Sequence, residues 1–342
     1  METSTYDPCL LISKATDAGT TTGFGIVGMQ TDDTLGLSDN TFADREDKEL
    51  RFKARTNSTS QTPSLSSSMA KKQGEKLESA VDMKAYVQQR ARGAYIATIC
   101  QPEASFDLAA AAQATEPTKE EISRLNKRIN WQKKNVARGL SYVPVKMEDL
   151  KLYAMVDASF ANNKDMSSQI GYVIILGNEI TSSDGSFKIR GNIVHWSSTK
   201  CKRVTRSVLA SEIYAMAHGV DIALAIGTTI DMIMDRLSLP KVPIVACTDS
   251  RSLYDCLVKL GTTKEKRLMI DIMALREAYE RSDLMDIRWI DGRDNPADAM
   301  TKAASNSALE HLIDTNELEL RVQGWVNRDS KGTEHTSEEG ST

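Results

Sequence analysis

From position 148 onward the apolar residues change period several times, and each change marks an element. LYAMVDASF (152–160) reads as a strand with an acid near its end. QIGYVIILGN (169–178) and NIVHWSS (192–198) read as two more, with TSSDGS (181–186) between them as a turn. TRSVLASEIYAMAHGVDIALAIG (205–227) switches to helical spacing, and a further helical piece runs to Leu239. VPIVACTDS (242–250) returns to a strand, again ending in an acid. The helices SLYDCLVKL (252–260) and KRLMIDIMALREAYERS (266–282) follow, then the strand MDIRWI (285–290). DNPADAMTKAA (294–304) is expected to open a last helix, with Pro296 in its first turn. The order β-β-β-α-α-β-α-α-β-α predicts an α/β unit over 148–327, a mixed five-stranded sheet with flanking helices.

The first half is patterned differently. GFGIVGM (23–29), then Asp32 and Asp33, then TLGL (34–37) predicts a hairpin with paired acids at its tip. Within residues 54–80 the chain becomes Ser/Thr-rich and has little to bury, so this stretch is expected to be a linker. Residues 81–147 read as a helical connection region, where Thr118 and Glu121 have the spacing of a capping box. Seven basic residues lie between Lys119 and Arg138 against two acids, which fits either a solvated helix face or a surface that tracks phosphates. The last residues, 328–342, read as a disordered tail.

Composition changes this picture little. The 342 residues are 40% hydrophobic and 26% charged, with net charge −4, as in an ordinary globular protein with room for two domains. Five cysteines without CxxC spacing read as reduced thiols in an intracellular protein, not a disulfide frame or a zinc site. The sequence carries no apolar run of membrane-spanning length and no signal peptide, so no membrane is expected. His195 and His218 fall inside a strand and a helix and read as structural.

Four acids stand in chemically telling places. Asp157 and Asp249 end strands that are adjacent in the expected sheet, and Glu212 sits among Leu209, Ile213 and Met216 on the long helix. Asp298 lies at the start of the last helical stretch. Each alone has an ordinary explanation as a turn, cap or dipole residue. Together they predict a carboxylate cluster, which repels itself unless a hard cation neutralises it, so two Mg²⁺ ions are expected, with Mn²⁺ as a substitute. Two such ions can activate a water and stabilise a leaving 3′ oxygen. Basic residues flank the cluster: Lys200, Lys202, Arg203 and Arg206 before the long helix, and Lys266 and Arg267 after the fourth strand. They are expected to contact phosphates, with Ser207 and Asn162 on the sugar–phosphate backbone.

VDASFANN, QIGYVI, HWSSTKCKRVTRSVLASEIYAM, CTDSRSL, TKEKRLMIDI and WIDGRDNPADAMTK resemble the ribonuclease H domain of Ty/copia-type retrotransposon polyproteins, particularly fungal ones. That resemblance covers residues 148–305 and maps Asp157, Glu212, Asp249 and Asp298 onto the family's acidic quartet. It implies metal-dependent cleavage of the RNA strand of an RNA–DNA hybrid, with other parts of the polyprotein as partners. It also implies a cytoplasmic setting, in a virus-like particle, or a nuclear one. Where many ribonucleases H carry a mobile His, this chain has DGRDNPAD, so Asp291, Arg293 or Asp294 occupies that loop. Upstream, YDPCLL, the Asp32–Asp33 tip, RARGAYIATICQPEASFDLAAAAQ and LNKRINWQ resemble the end of a reverse-transcriptase palm and its connection to the nuclease. Residues 1–53 then read as a truncated palm remnant and Asp32 and Asp33 as a vestigial polymerase tip, because the third polymerase carboxylate and the fingers are not encoded. Residues 1–80 are expected to be marginal alone, since an isolated hairpin has little to stabilise it. The alternative reading is a catalytically silent remnant that binds nucleic acid without cutting it.

Overall fold

The structure, a computed structural model, describes residues 1–4, 7–13, 23–30, 33–53, 83–181, 186–259, 263 and 265–326. The expected linker 54–80 and tail 328–342 lie outside the described residues, as do Asp32 and Lys264.

The N-terminal part holds four strands, not two. β1 (Glu2–Thr3), β2 (Leu10–Ile12), β3 (Gly25–Gln30) and β4 (Asp33–Ser38) form an antiparallel sheet in that order, followed by α1 (Asn40–Lys53). Gln30 pairs with Asp33, so β3 and β4 make the expected hairpin, with a two-residue connection.

Three helices follow: α2 (Met83–Ile99), α3 (Ser105–Ala111) and α4 (Lys119–Lys134). Thr118 caps α4 as expected, accepting from the Glu121 backbone while the Glu121 carboxylate accepts from Thr118 N at 2.7 Å. Tyr86, Leu108, Leu125 and Ile129 bury the inner faces of these helices against one another.

The larger sheet is built as its apolar patterning implies. β5 (Leu150–Ser159), β6 (Gln169–Thr181) and β7 (Phe187–Lys200) form the antiparallel meander. α5 (Val208–Arg236) then crosses to β8 (Ile244–Thr248), which pairs parallel with β5. α6 (Arg251–Val258) and α7 (Met269–Glu280) lead to β9 (Asp286–Ile290), parallel to β8. The spatial order β7-β6-β5-β8-β9 is the ribonuclease H-like five-stranded mixed sheet expected from sequence. After α8 (Ser307–Thr315), two short strands extend it to seven: β10 (Glu317–Leu320) on β7 and β11 (Val322–Gly324) on β9.

Both faces of the sheet are covered, which is why its strands read as nearly continuous apolar runs. On one face, Val156, Tyr172 and Ile244 pack against Ile213, Met216 and Leu275 of the long helices. On the other, Met155, Val173 and Val245 pack against Met300, Leu309 and Leu312. That second face also buries charge: Arg288 pairs with Glu179 at 2.6 Å and Asp286 at 2.7 Å and stacks over Phe187, while the Tyr153 hydroxyl donates to Glu179. α5 is long and apolar enough to cross a membrane, but half of its most apolar stretch is buried, as in a core helix.

Hydrogen bonds tie the other parts to this unit. Ser4 meets Thr229 hydroxyl to hydroxyl at 2.7 Å, and Arg236 donates to the Ser13 carbonyl and to Glu2, so the N-terminal sheet docks on the far end of α5. Trp196 donates to the Ala97 carbonyl at 3.0 Å and Arg138 pairs with Asp314, which fixes the three-helix layer to β7 and α8.

Candidate active site

Asp157 lies on β5 and is 2% exposed. Its neighbour in register on β6 is Gly171, and a Cβ there would run into Met300 and Thr301. The missing side chain lets the turn Pro296–Met300 lie on the strand pair, and the Thr301 hydroxyl then donates to the Asp157 carboxylate. Asn295 holds the turn in place by donating to the Val156 carbonyl at 2.9 Å and accepting from Ala297 N.

Glu212 is near the start of α5, whose N-cap is Ser207. It is buried, and its Oε2 has no hydrogen-bond partner. Asp249 follows β8; its carbonyl accepts from Trp289 Nε1, and its carboxylate lies against Gly292. One oxygen each from Asp157, Glu212 and Asp249 lies within 4.8 Å of the others. Burial first, and the other acids second, push the Glu212 carboxyl well above the ordinary range and Asp249 up to about 6. Asp157 is also raised by burial, against the opposing pull of Thr301 and Lys302. Three carboxylates so poised release strain when a hard divalent cation joins them, and an all-oxygen donor set suits Mg²⁺.

Asp298 is placed differently from expectation. It sits within a five-residue 3₁₀ turn, not in the first turn of an α-helix, because the Asn295 cap and the backbone at Thr301 close the turn before α8 begins. It lies outside the three-acid group and forms an ion pair with Lys302, although its charge still reaches Asp157 and Asp249. In the loop without His, Asp291 is engaged by Arg293 and Arg321, and Asp294 by Arg321.

The basic residues divide into two sets. Lys200 pairs with Asp165, Arg203 with Asp271, and Arg267 with Glu265, so their charges are already compensated. Lys202, Arg206 and Lys266 are exposed, and no ion pair among the described residues engages them. Ser207 accepts from Ala210 N as the cap of α5 and donates to Glu265. Asn162 is exposed and donates to the Thr301 carbonyl at 3.3 Å, beside the acids. His195 and His218 both lie against the Tyr172 ring. A groove opens between α4 and the turn bearing Asp298, with Arg124, Lys127 and Trp131 on one wall and Lys302 and Asn306 on the other. Sequence reasoning did not single out Gly171, Gly292, Asn295, Thr301 or Lys302. Only Lys302 carried a readable signal, four residues after an acid.

No family model matches the chain. Among curated proteins, the transposon Ty1-JR1 Gag-Pol polyprotein of Saccharomyces cerevisiae is 28% identical over 157 residues. A second transposon polyprotein of the same organism, Ty1-DR1 Gag-Pol, is 27% identical over 157 residues. Each match takes in 45% of this chain and 8% of that relative. Two solved structures are similar to it. RNase H1 from Halobacterium salinarum NRC-1 is 20% identical, with 47% of this chain and 98% of that one covered and a TM-score of 0.31. LC11-RNase H1 in complex with an RNA/DNA hybrid is 18% identical, with 47% and 99% covered and a TM-score of 0.29. The ribonuclease H-like fold of the chain rests on its own strand order and register.

Proposed function

We propose that the chain is a metal-dependent endonuclease that cuts the RNA strand of RNA–DNA hybrids. The observation that carries this reading is the group of buried Asp157 and Glu212 with half-buried Asp249, a Glu212 oxygen being left without a partner. These three would hold Mg²⁺, with Mn²⁺ as a substitute and Asp298 at the rim. When bound, the metal supplies an activated water and stabilises the leaving oxygen of an in-line displacement.

The protein's own residues do the rest. Thr301 fixes one Asp157 oxygen, so the carboxylate presents the other. Gly292 leaves room beside the Asp249 carboxylate. Lys202, Arg206 and Lys266, exposed and outside any ion pair among the described residues, offer positive charge to phosphates, which the acids alone would repel. Asn162 stands where a ribose 2′-hydroxyl could be read. The α4 wall of the groove adds Arg124, Lys127 and Trp131, beside the acids Glu103, Asp107 and Glu310, as a surface on which a nucleic-acid strand could lie.

A labelled RNA–DNA hybrid incubated with the purified chain, Mg²⁺ or EDTA tests the proposal. Cleavage is expected with Mg²⁺ only, and Asp157→Asn or Glu212→Gln should reduce it to background while keeping the melting temperature near or above that of the wild type. Hybrid that is bound but left intact by the wild-type chain in Mg²⁺ would replace this reading with that of a silent binding remnant.

A further inference from the structure

We propose that Ser198 and Gln169 are positioning residues of the carboxylate site: they staple the segment bearing Asp298 and Thr301 across the sheet and tie it to the three-helix layer. This deepens the reading of Asp157, Glu212 and Asp249 as the centre of hybrid cleavage and rests on it.

Strand register puts three positions in one row. Asp157 on β5 is opposite Gly171 on β6, and Gly171 is opposite Ser198 on β7. Residues directly opposite one another point to the same side of a sheet, here the face that packs against Met300. Met300 and Thr301 lie across that row. Thr301 donates to the Asp157 carboxylate, Met300 fills the space that a Gly171 side chain would take, and the Met300 carbonyl accepts from the Ser198 hydroxyl. The segment is therefore pinned on both sides of Gly171, and Ser198 is its anchor on β7. Releasing that anchor moves Asp298 and the Thr301 hydroxyl together.

Ser198 has one proton to give, and Gln169 decides where it goes. Gln169 is fully buried, two residues before Gly171 and so on the same face. Its Oε1 accepts from Gln113 Nε2 and Asn163 Nδ2, both at 3.3 Å, which turns its Nε2 toward Ser198 Oγ at 2.9 Å. The Ser198 oxygen is thus engaged as an acceptor, and its proton is left for the Met300 carbonyl.

Gln113 follows α3 and also donates to Asn163 Oδ1. Hydrogen bonds therefore run from Gln113 through Gln169 and Ser198 to Met300, and resume one peptide unit later from Thr301 to Asp157. The helical layer is on this account a working part of the site, not a spacer before it.

The full chain carries the test, with Ser198→Ala, Ser198→Thr, Gln169→Glu and Gln113→Ala. Gln169→Glu keeps the shape but turns the donor into an acceptor, which draws the Ser198 proton away from Met300. One readout is amide hydrogen exchange in EDTA at Thr301 and Lys302, whose N–H groups both bond to the Asp298 carbonyl. The other is steady-state cleavage of an RNA–DNA hybrid in Mg²⁺. In Ser198→Ala and Gln169→Glu those amides should exchange on the order of tenfold faster than in wild type, while the β8 amides keep their protection. Their kcat should fall on the order of tenfold with KM within about twofold, because hybrid still binds over misplaced acids. Ser198→Thr keeps the hydroxyl and should restore both readouts. Gln113→Ala should move both in the same direction by roughly threefold. Unchanged exchange in Ser198→Ala overturns the staple, whatever the activity. Faster exchange with a wild-type kcat, or no rescue by Ser198→Thr, overturns the positioning role. Gln113→Ala that matches wild type in both readouts removes the link to the helical layer. A wild-type chain that leaves the hybrid intact sinks the endonuclease reading and the positioning role with it, and the exchange readout still decides the staple.

Discussion

Replacing Asp249 with Asn should make the metal-free protein more stable while removing the proposed hybrid cleavage. In the fold, the Asp249 carboxyl is raised from 3.8 to about 6, chiefly by burial and then by Asp157. A raised carboxyl means that the folded state penalises the charged form. The penalty is fully present above the folded value, and it fades as pH falls toward the unfolded one. The rise corresponds to roughly 3 kcal/mol at pH 8, since each step of one pH unit is about 1.4 kcal/mol. Partial exposure of Asp249 trims this to about 2–3 kcal/mol. Asn keeps the shape and carries no charge, so Asp249→Asn should melt roughly 5–10 °C above wild type in EDTA at pH 8. The gain should halve near pH 5 and fall below about 1 kcal/mol near pH 4, where wild-type Asp249 is itself neutral. Saturating Mg²⁺ should narrow the gap, because the metal stabilises only the wild type appreciably. The measurement is a pair of melting series across pH, with and without Mg²⁺. An Asp249→Asn variant that melts at or below wild type at pH 8 in EDTA would show that the acids are not held in electrostatic tension.

Two further outcomes follow from particular contacts. A Cβ at Gly292 would stand 3.0 Å from Asp249 Oδ2, so Gly292→Ala should displace that carboxylate and lower both Mg²⁺ affinity and hybrid cleavage, by up to about 100-fold, with little change in melting. Wild-type cleavage rates in that variant would remove Gly292 from the site. Arg288→Met should cost about 3 kcal/mol in urea unfolding, because it leaves Asp286 buried without its cation and Glu179 with only Lys151 and the Tyr153 hydroxyl. An unchanged midpoint would mean that this network is neutral to stability.

The sheet was legible because its covering on both faces writes long apolar strands, and because β5 to β7 are joined by short connections. The acids at Asp157, Glu212 and Asp249 were legible for a related reason: each interrupts an apolar run at a strand end or within a helix. Asp298 was harder. Proline in a first turn fits an α-helix and a 3₁₀ turn equally, and the deciding Asn295 and Thr301 act through side-chain hydrogen bonds that have no periodicity. Lys200 and Arg203 looked like free phosphate contacts, since their partners Asp165 and Asp271 become neighbours only after folding, whereas the partner of Arg267, Glu265, stood two residues away in the sequence. Tertiary packing also made the N-terminal part more than a hairpin. β1 and β2 are too short to signal themselves, and they gain their place through contacts with Thr229 and Arg236.

That docking has a consequence for how the two halves of the chain can change. Glu212 and Thr229 are seventeen residues apart on one helix, a separation of about 26 Å along its axis. Between them α5 is buried against β5 and β6 through Met216, Val220 and Ala223. A substitution that loosens the N-terminal sheet is therefore absorbed along a clamped rod before it reaches the carboxylates. Changes in the N-terminal sheet can therefore accumulate, strand by strand, with the Asp157, Glu212 and Asp249 carboxylates left undisturbed.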